Sequence, residues 1–219
     1  MMSKTLIFGT VYLYDQEMTD IVNLWIDRAV SLGKDFLLVD SNSPEHYRNQ
    51  LKHQDSIHSF DDNIGHLSKN GRDGWGRAFC YALQYAIDND YDNVIHIESD
   101  MLVATKEFKQ EMEKFELGYV YMVSSPFCYS IHTCPIETGL MMFKTKWVQD
   151  FNFIKKYDWE TTTRLPRPEE RIDKICEDFH CSFFDKKGKR LNGSGDIEGL
   201  LYVTHTGYTT MKRFYEKTK

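Results

Sequence analysis

Val94-Ile95-His96-Ile97-Glu98-Ser99-Asp100 is the stretch whose reading decides the fold. Four strand-forming residues run straight into an acid-x-acid triplet. Side chains two apart on an extended segment lie on the same side. The carboxylates of Glu98 and Asp100 are therefore expected to converge where the strand meets its loop. Hard divalent cations such as Mn²⁺ or Mg²⁺ take oxygen ligands and hold phosphates through one or two carboxylates. Two solvated turn acids after a buried strand would look the same, so the flanking chain has to decide.

Upstream, residues 77–89 have helical period and are apolar nearly all round (Ala78, Phe79, Tyr81, Ala82, Leu83, Tyr85, Ala86, Ile87), the mark of a helix buried on most sides. A loop at residues 63–77 precedes it, studded with Gly65, Gly71, Gly74 and Gly76. Those glycines allow close backbone approach to a ligand. Arg72 and Arg77 are expected to pair with a diphosphate, and Asp73 to accept from ribose or sugar hydroxyls. The loop lacks the Gly-Lys-Ser/Thr of a P-loop, and it does not directly follow the first strand as a dinucleotide fingerprint does.

Further back, residues 5–14 (TLIFGTVYLY) read as the first strand. Residues 15–32 then repeat apolar side chains at three- and four-residue steps: Met18, Ile21, Val22, Trp25, Ile26 and Ala29. Asp15 fits an N-cap, and Gly33 fits the glycine after a helix end. Residues 36–39 form a short second strand running into Asp40 and a turn cluster, and a weak strand follows at 56–60. The order β-α-β predicts a parallel sheet with ligands at the carboxyl ends of its strands.

Downstream, strands are expected at 119–125, 139–143, 181–184 and 200–204, and a helix at 146–156. Residues 157–168 are polar and read as a mobile loop. A helix at 168–179 opens on Pro168, Glu169 and Glu170. Acids favour helix N-termini through the dipole, and one can also serve as a general base. Glu170 and Asp173 share a helix face three residues apart, so Glu170 ranks first, ahead of Asp173 and Glu169. His205, in Thr204-His205-Thr206-Gly207, is the candidate third metal ligand, although a lone histidine at a strand end is more often structural.

The 219 residues carry a net charge of −6, which argues against a nucleic-acid partner. Five cysteines without Cys-x-x-Cys spacing point to reduced thiols in a cytosolic-type compartment. The N-terminus lacks a signal peptide's apolar region, and no apolar run is long enough to span a membrane.

Taken together, the layout resembles the GT-A glycosyltransferases. Their acid-x-acid motif matches Glu98-Ser99-Asp100, with Glu in place of the usual first Asp. Their nucleoside-contacting aspartate matches Asp40, the glycine-containing loop matches residues 71–77, and the small-residue strand matches Thr138–Phe143 with Glu137 before it. Their acidic helix start resembles Glu169-Glu170, and their late metal-binding histidine resembles His205. The resemblance covers residues 5–208 and is greatest to stand-alone viral or bacterial domains, including that of large chlorella viruses. It implies one α/β domain over residues 1–219, a mixed sheet flanked by helices with a Rossmann-like front half. Residues 1–104 would bind the nucleotide sugar and 105–219 the acceptor. It further implies metal-dependent (Mn²⁺ or Mg²⁺) transfer from a nucleoside diphosphate sugar, UDP favoured, to a glycan or other hydroxyl acceptor with inversion. The metal would sit on Glu98, Asp100 and His205. The donor would meet Asp40, Arg72, Asp73, Arg77, Ser99 and Glu137. The location would be cytoplasmic, in the host if viral. Two rivals are a nucleotidyltransferase, disfavoured because Tyr12-Leu13-Tyr14-Asp15 stands where a glycine-rich basic signature is expected, and a non-catalytic carbohydrate-binding or assembly module.

Overall fold

The computed structural model describes residues 3–66, 71–115, 120–124, 136–160, 168–176, 182–183, 189–190 and 199–219. The front of the chain runs β1 (Thr5–Val11), α1 (Gln16–Ser31), β2 (Asp35–Asp40), α2 (Glu45–Arg48), a 3₁₀ turn at Gln54–Ser56, β3 (Ile57–Ser59), α3 (Gly74–Asp88) and β4 (Asn93–Ile97). It continues with β5 (Met101–Val103), α4 (Thr105–Lys114), β6 (Val120–Ser124), β7 (Ile136–Lys144), α5 (Thr145–Asp150), α6 (Phe153–Tyr157) and α7 (Pro168–Cys176). The last elements are β8 (Ser182–Phe183), β9 (Lys189–Arg190), β10 (Tyr202–Thr204) and α8 (Tyr208–Lys217).

Seven strands make one sheet in the order β3-β2-β1-β4-β7-β6-β8. β3, β2, β1 and β4 are mutually parallel, whereas β7 runs antiparallel to both β4 and β6. β1 is buried at every position, as expected for a parallel strand covered on both faces. Its alternation feeds two cores. Ile7 and Val11 face α1, α4 and α8, while Leu6 and Phe8 face α3, α5, α6 and α7. The mixed α/β fold expected from the sequence is the one found.

Asp15 caps α1, its carboxylate accepting from Met18 N at 2.8 Å, and Gly33 takes φ +72° beyond its end. α1 buries Ile21, Val22, Trp25, Ile26 and Ala29, each large apolar side chain contributing roughly 1.5–3 kcal/mol. Trp25 crosses the strand end to donate from Nε1 to the Ile97 carbonyl at 3.1 Å. Gly9 makes room for it, since a Cβ there would lie 2.8 Å from the indole.

Several boundaries differ from the sequence reading. The first strand stops at Val11. The buried helix begins at Gly74 rather than Arg77, because the Asp73 carboxylate accepts from Gly76 N at 2.8 Å and caps it there. The helix expected at 146–156 is two, broken where Asn152 adopts φ +53°. β5, α4 and α8 went unread. Part of the loop at 157–168, residues 161–167, lies outside the described residues, as do 177–179 of the expected acidic helix. Cys80 is buried, and burial pushes its thiol up; Cys128, Cys134 and Cys181 and the Cys176 side chain fall outside the described residues. Among the described residues, no helix is long and apolar enough to cross a membrane.

Candidate active site

Strand order reverses between β1 and β4, so their carboxyl ends frame the crevice in which open α/β sheets bind ligands. A cleft of about 500 Å³ opens there, lined by Tyr12, Tyr14, Ser41, Asn63, His66, Trp75 and the acid triplet among others.

At the end of β4, Glu98 N donates to the Gly139 carbonyl at 2.8 Å and Met101 N to the Glu98 carbonyl at 2.8 Å. Residues 98–101 thus form a turn. The carboxylates of Glu98 and Asp100 do converge, but through this turn and not through strand alternation. Ser99 lines the cleft while its hydroxyl donates to the Thr10 carbonyl at 2.7 Å, tying the turn to β1.

The third member arrives from the far end of the chain. β5 follows the turn and pairs antiparallel with β10, setting Thr204 opposite Met101. His205 is the next residue, and its N–H donates to the Asp100 carbonyl at 3.3 Å. Its Nδ1 lies 2.7 Å from Asp100 Oδ2, and its Nε2 3.7 Å from Glu98 Oε2. One ligand atom from each of Glu98, Asp100 and His205 falls within 4.8 Å of the others. Asp100 Oδ1 is buried and makes no hydrogen bond. Two carboxylates and an imidazole, one oxygen still lacking a partner, fit a hard or borderline divalent cation.

Several other expected site residues have partners within the protein. Asp40 is fully buried, and its oxygens accept from Ser43 N at 3.1 and 3.2 Å, from Ser43 Oγ, and from Ser59 Oγ at 2.8 Å. Ser43 Oγ in turn accepts from Leu13 N at 2.7 Å. Asp40 therefore braces the chain behind the cleft wall. Asp73 is buried as well, and its second oxygen accepts from Tyr157 and Arg171. Arg77 pairs with Asp62 at 2.6 Å and lies over the Phe60 ring. Arg72 is exposed. Gly71 and Gly74 allow close backbone packing within the loop: a Cβ on Gly74 would lie 2.5 Å from the Gly65 carbonyl, and one on Gly71 2.5 Å from His66 N, while Gly65 and Gly74 also line the cleft.

On α7, Glu169 Oε1 accepts from Thr138 Oγ1 at 3.2 Å, one residue along β7 from the Gly139 that holds Glu98. Glu170 is half-buried on the same turn. The side chains of Asp173 and Glu137 lie outside the described residues.

The sequence reading missed Tyr12 and Tyr14 as cleft residues. Both are exposed, 42% and 66%, while Leu13 between them is fully buried. Partial burial, then the carboxylates of Asp15, Asp100 and Glu17, hold the Tyr14 phenol above its ordinary value. The signal was present in the period-two alternation just past β1. Trp75 also went unnoticed; it stacks on Phe79 with centroids 4.7 Å apart.

No protein-family model matches the chain, and no curated protein sequence does. Solved structures do. A glycosyltransferase involved in glycosylation of the PBCV-1 major capsid superposes with a TM-score of 0.58 at 12% identity, covering 98% of this chain and 99% of that one. The apo glycosyltransferase GlyE of Streptococcus pneumoniae gives 0.60 at 12%, over 97% of this chain but 60% of GlyE. The mannosyltransferase PcManGT of Pyrobaculum calidifontis, solved with GDP-Man and Mn²⁺, gives 0.57 at 10%, over 83% of this chain and 54% of that enzyme. The chain therefore has the GT-A glycosyltransferase fold. It spans nearly all of the viral enzyme and a little over half of the other two.

Proposed function

We propose that this chain is a metal-dependent glycosyltransferase that moves a sugar from a nucleoside diphosphate sugar, UDP-linked by first preference, to a hydroxyl acceptor such as a glycan. The observation that carries the reading is the Glu98–Asp100–His205 cluster, set at the mouth of a cleft at the strand-order reversal. These three side chains would hold Mn²⁺ or Mg²⁺. The bound cation would neutralise charge developing on the leaving diphosphate. A neighbour of the same fold solved with GDP-Man and Mn²⁺ supports a nucleoside diphosphate sugar as the donor class and a divalent metal beside it.

Within that reading, Tyr12 and Tyr14 offer exposed ring faces to a nucleobase, and Ser41 and Asn63 offer polar groups to the ribose. Arg72, exposed just before α3, is the residue of the glycine-containing loop left to meet the diphosphate. The acceptor would enter from the side of β7 and α7. With inversion, a carboxylate of α7 deprotonates its hydroxyl. Glu169 takes that role ahead of Glu170, because its contact with Thr138 holds it beside the strand that flanks the metal turn.

The test is a melting-temperature screen over UDP-, GDP- and dTDP-sugars with and without Mn²⁺, on the natural chain and on Asp100→Asn. A ligand of the native state raises stability by mass action. One nucleotide class should stabilise the natural chain only with Mn²⁺, and Asp100→Asn should lose that increment. A screen with no metal-dependent donor would overturn the reading.

A further inference from the structure

We propose that α1 positions His205 by clamping both ends of α8, and that Glu17 is a positioning residue for the metal cluster; this rests on the reading of Glu98, Asp100 and His205 as ligands. α8 starts at Tyr208, three residues after His205, and its N-cap residue is Gly207, which has no side chain to accept from the first turn. The acceptor comes from another helix: Glu17 Oε1 takes the Tyr208 N–H at 2.9 Å. The carboxylate sits so close that a Cβ on Gly207 would lie 3.1 Å from it. An acid at a helix N-terminus both satisfies an orphan donor and complements the dipole.

The opposite end of α8 is held from the same helix. Arg28 donates to the Thr218 carbonyl at 2.6 Å, the Tyr215 carbonyl at 3.0 Å and Thr218 Oγ1 at 3.1 Å, and also contacts Thr105. Arg28 is buried, and every one of these acceptors is an uncharged oxygen, three of them at the carboxyl end of α8. Burial brings its pKa down to about 10. Glu17 lies in the first turn of α1 and Arg28 in the last, so the two helices run parallel, with their termini matched in charge. Met211 and Phe214 of α8 are buried in the core that also takes Ile21, Val22 and Trp25 of α1. A rigid helix pinned at both ends cannot slide along its neighbour without breaking one contact.

His205 needs such support. It adopts φ +48°, a left-handed conformation that costs a non-glycine residue energy and persists where the surroundings over-determine it. On its upstream side, the β10–β5 pairing fixes it. On its downstream side, only the short segment to Tyr208 separates it from the Glu17 contact.

The test is Mn²⁺ titration in excess UDP or GDP, with free Mn²⁺ read by electron paramagnetic resonance, well below the melting temperature. The natural chain is compared with His205→Ala, Glu17→Ala, Glu17→Gln and Tyr208→Pro. His205→Ala sets the size of the full loss. Glu17→Ala is expected to weaken Mn²⁺ binding about tenfold, as outer-shell losses do. Glu17→Gln keeps a carbonyl oxygen for Tyr208 N–H and should restore most of the affinity. Tyr208→Pro removes the donor instead, at a first-turn position where proline is well tolerated, and should match Glu17→Ala even if the latter folds poorly. Natural affinity in both Glu17→Ala and Tyr208→Pro overturns the clamp while leaving the cluster intact. A natural chain that binds no Mn²⁺, or a His205→Ala variant with no loss, overturns the ligand reading and the clamp with it.

Discussion

Asp73 Oδ2 and Arg171 Nη1 lie 3.0 Å apart with each side chain only 3% exposed, so one buried ion pair joins the start of α3 to α7. The other Asp73 oxygen caps α3 through Gly76 N, and Tyr157 of α6 donates to Oδ2 at 3.0 Å. Three helices on one face of the sheet therefore converge on one carboxylate. Removing one partner of such a pair leaves an uncompensated buried charge and typically costs about 3–5 kcal/mol. Arg171→Met is expected to lower the unfolding free energy, read from urea titration, by an amount in that range. A loss under about 1 kcal/mol, the range of surface pairs, would show that the pair contributes little.

Tyr12 should matter for the nucleotide and not for the fold. Its ring is exposed at the cleft and packs into neither core. Stacking of a base on an aromatic side chain is worth roughly 1–3 kcal/mol on truncation to alanine. Tyr12→Ala is expected to weaken binding of the preferred nucleoside diphosphate about tenfold or more by calorimetry, with Tyr12→Phe close to natural. Equal affinity in the alanine variant would move the base to Tyr14 or to the Trp75 side of the cleft.

The front half of this fold is written locally. β1, α1 and β4 carry clean periods, a capping aspartate and a terminal glycine, and these need no distant partner. The elements that went unread behave differently. β5 is three residues long and exists through its pairing with β10, from a distant part of the chain. α8 takes its N-terminal acceptor from Glu17 of α1. The same distinction applies to the site. Glu98 and Asp100 were visible as a pair, though their convergence comes from the turn at residues 98–101. Asp40 and Asp73 looked like ligand groups because an acid at a strand end or loop carries no mark of what it will bond. Their burial and their serine, tyrosine and arginine partners are tertiary facts.

His96 supplies a pH-dependent term in stability. It is fully buried among Phe8, Phe79 and Trp75, its Nδ1 lies 2.7 Å from the Thr138 carbonyl, and its Nε2 has no hydrogen-bond partner. Burial lowers its pKa to about 3. A free histidine titrates near 6.5, so between pH 6.5 and about 3 the unfolded chain binds a proton that the folded chain does not. The stability contribution is complete above pH 6.5 and falls on acidification through that window, by roughly 1.4 kcal/mol per pH unit. Asn at this position keeps a donor for Thr138 and does not titrate. The natural chain should therefore lose stability between pH 6.5 and 4.5 more steeply than His96→Asn, by about one proton in the slope. Parallel slopes would mean that His96 is reached by solvent or protonated in the folded state.

The last expectation concerns the carboxylate that activates the acceptor. α7 presents Glu169 and Glu170 on its first turn, where the dipole alone would favour acids, so their presence there proves no chemistry. Position separates them. Glu169 accepts from Thr138, and Thr138 adjoins Gly139, whose carbonyl receives Glu98 N. A short path of contacts therefore links Glu169 to the metal turn. Losing a general base costs about 10²–10⁴-fold in rate. Glu169→Gln is expected to lower kcat by that much while Mn²⁺-dependent donor affinity stays within twofold, and Glu170→Gln to cost less than about tenfold. The reverse ranking would return the base to Glu170, the residue the sequence favoured. The anomeric configuration of the product, read by NMR, is the control on both. Inversion is the outcome a general base requires. Retention would remove the base from α7 whichever variant lost activity, and the Glu169 contact with Thr138 would then serve only to seat the helix against β7.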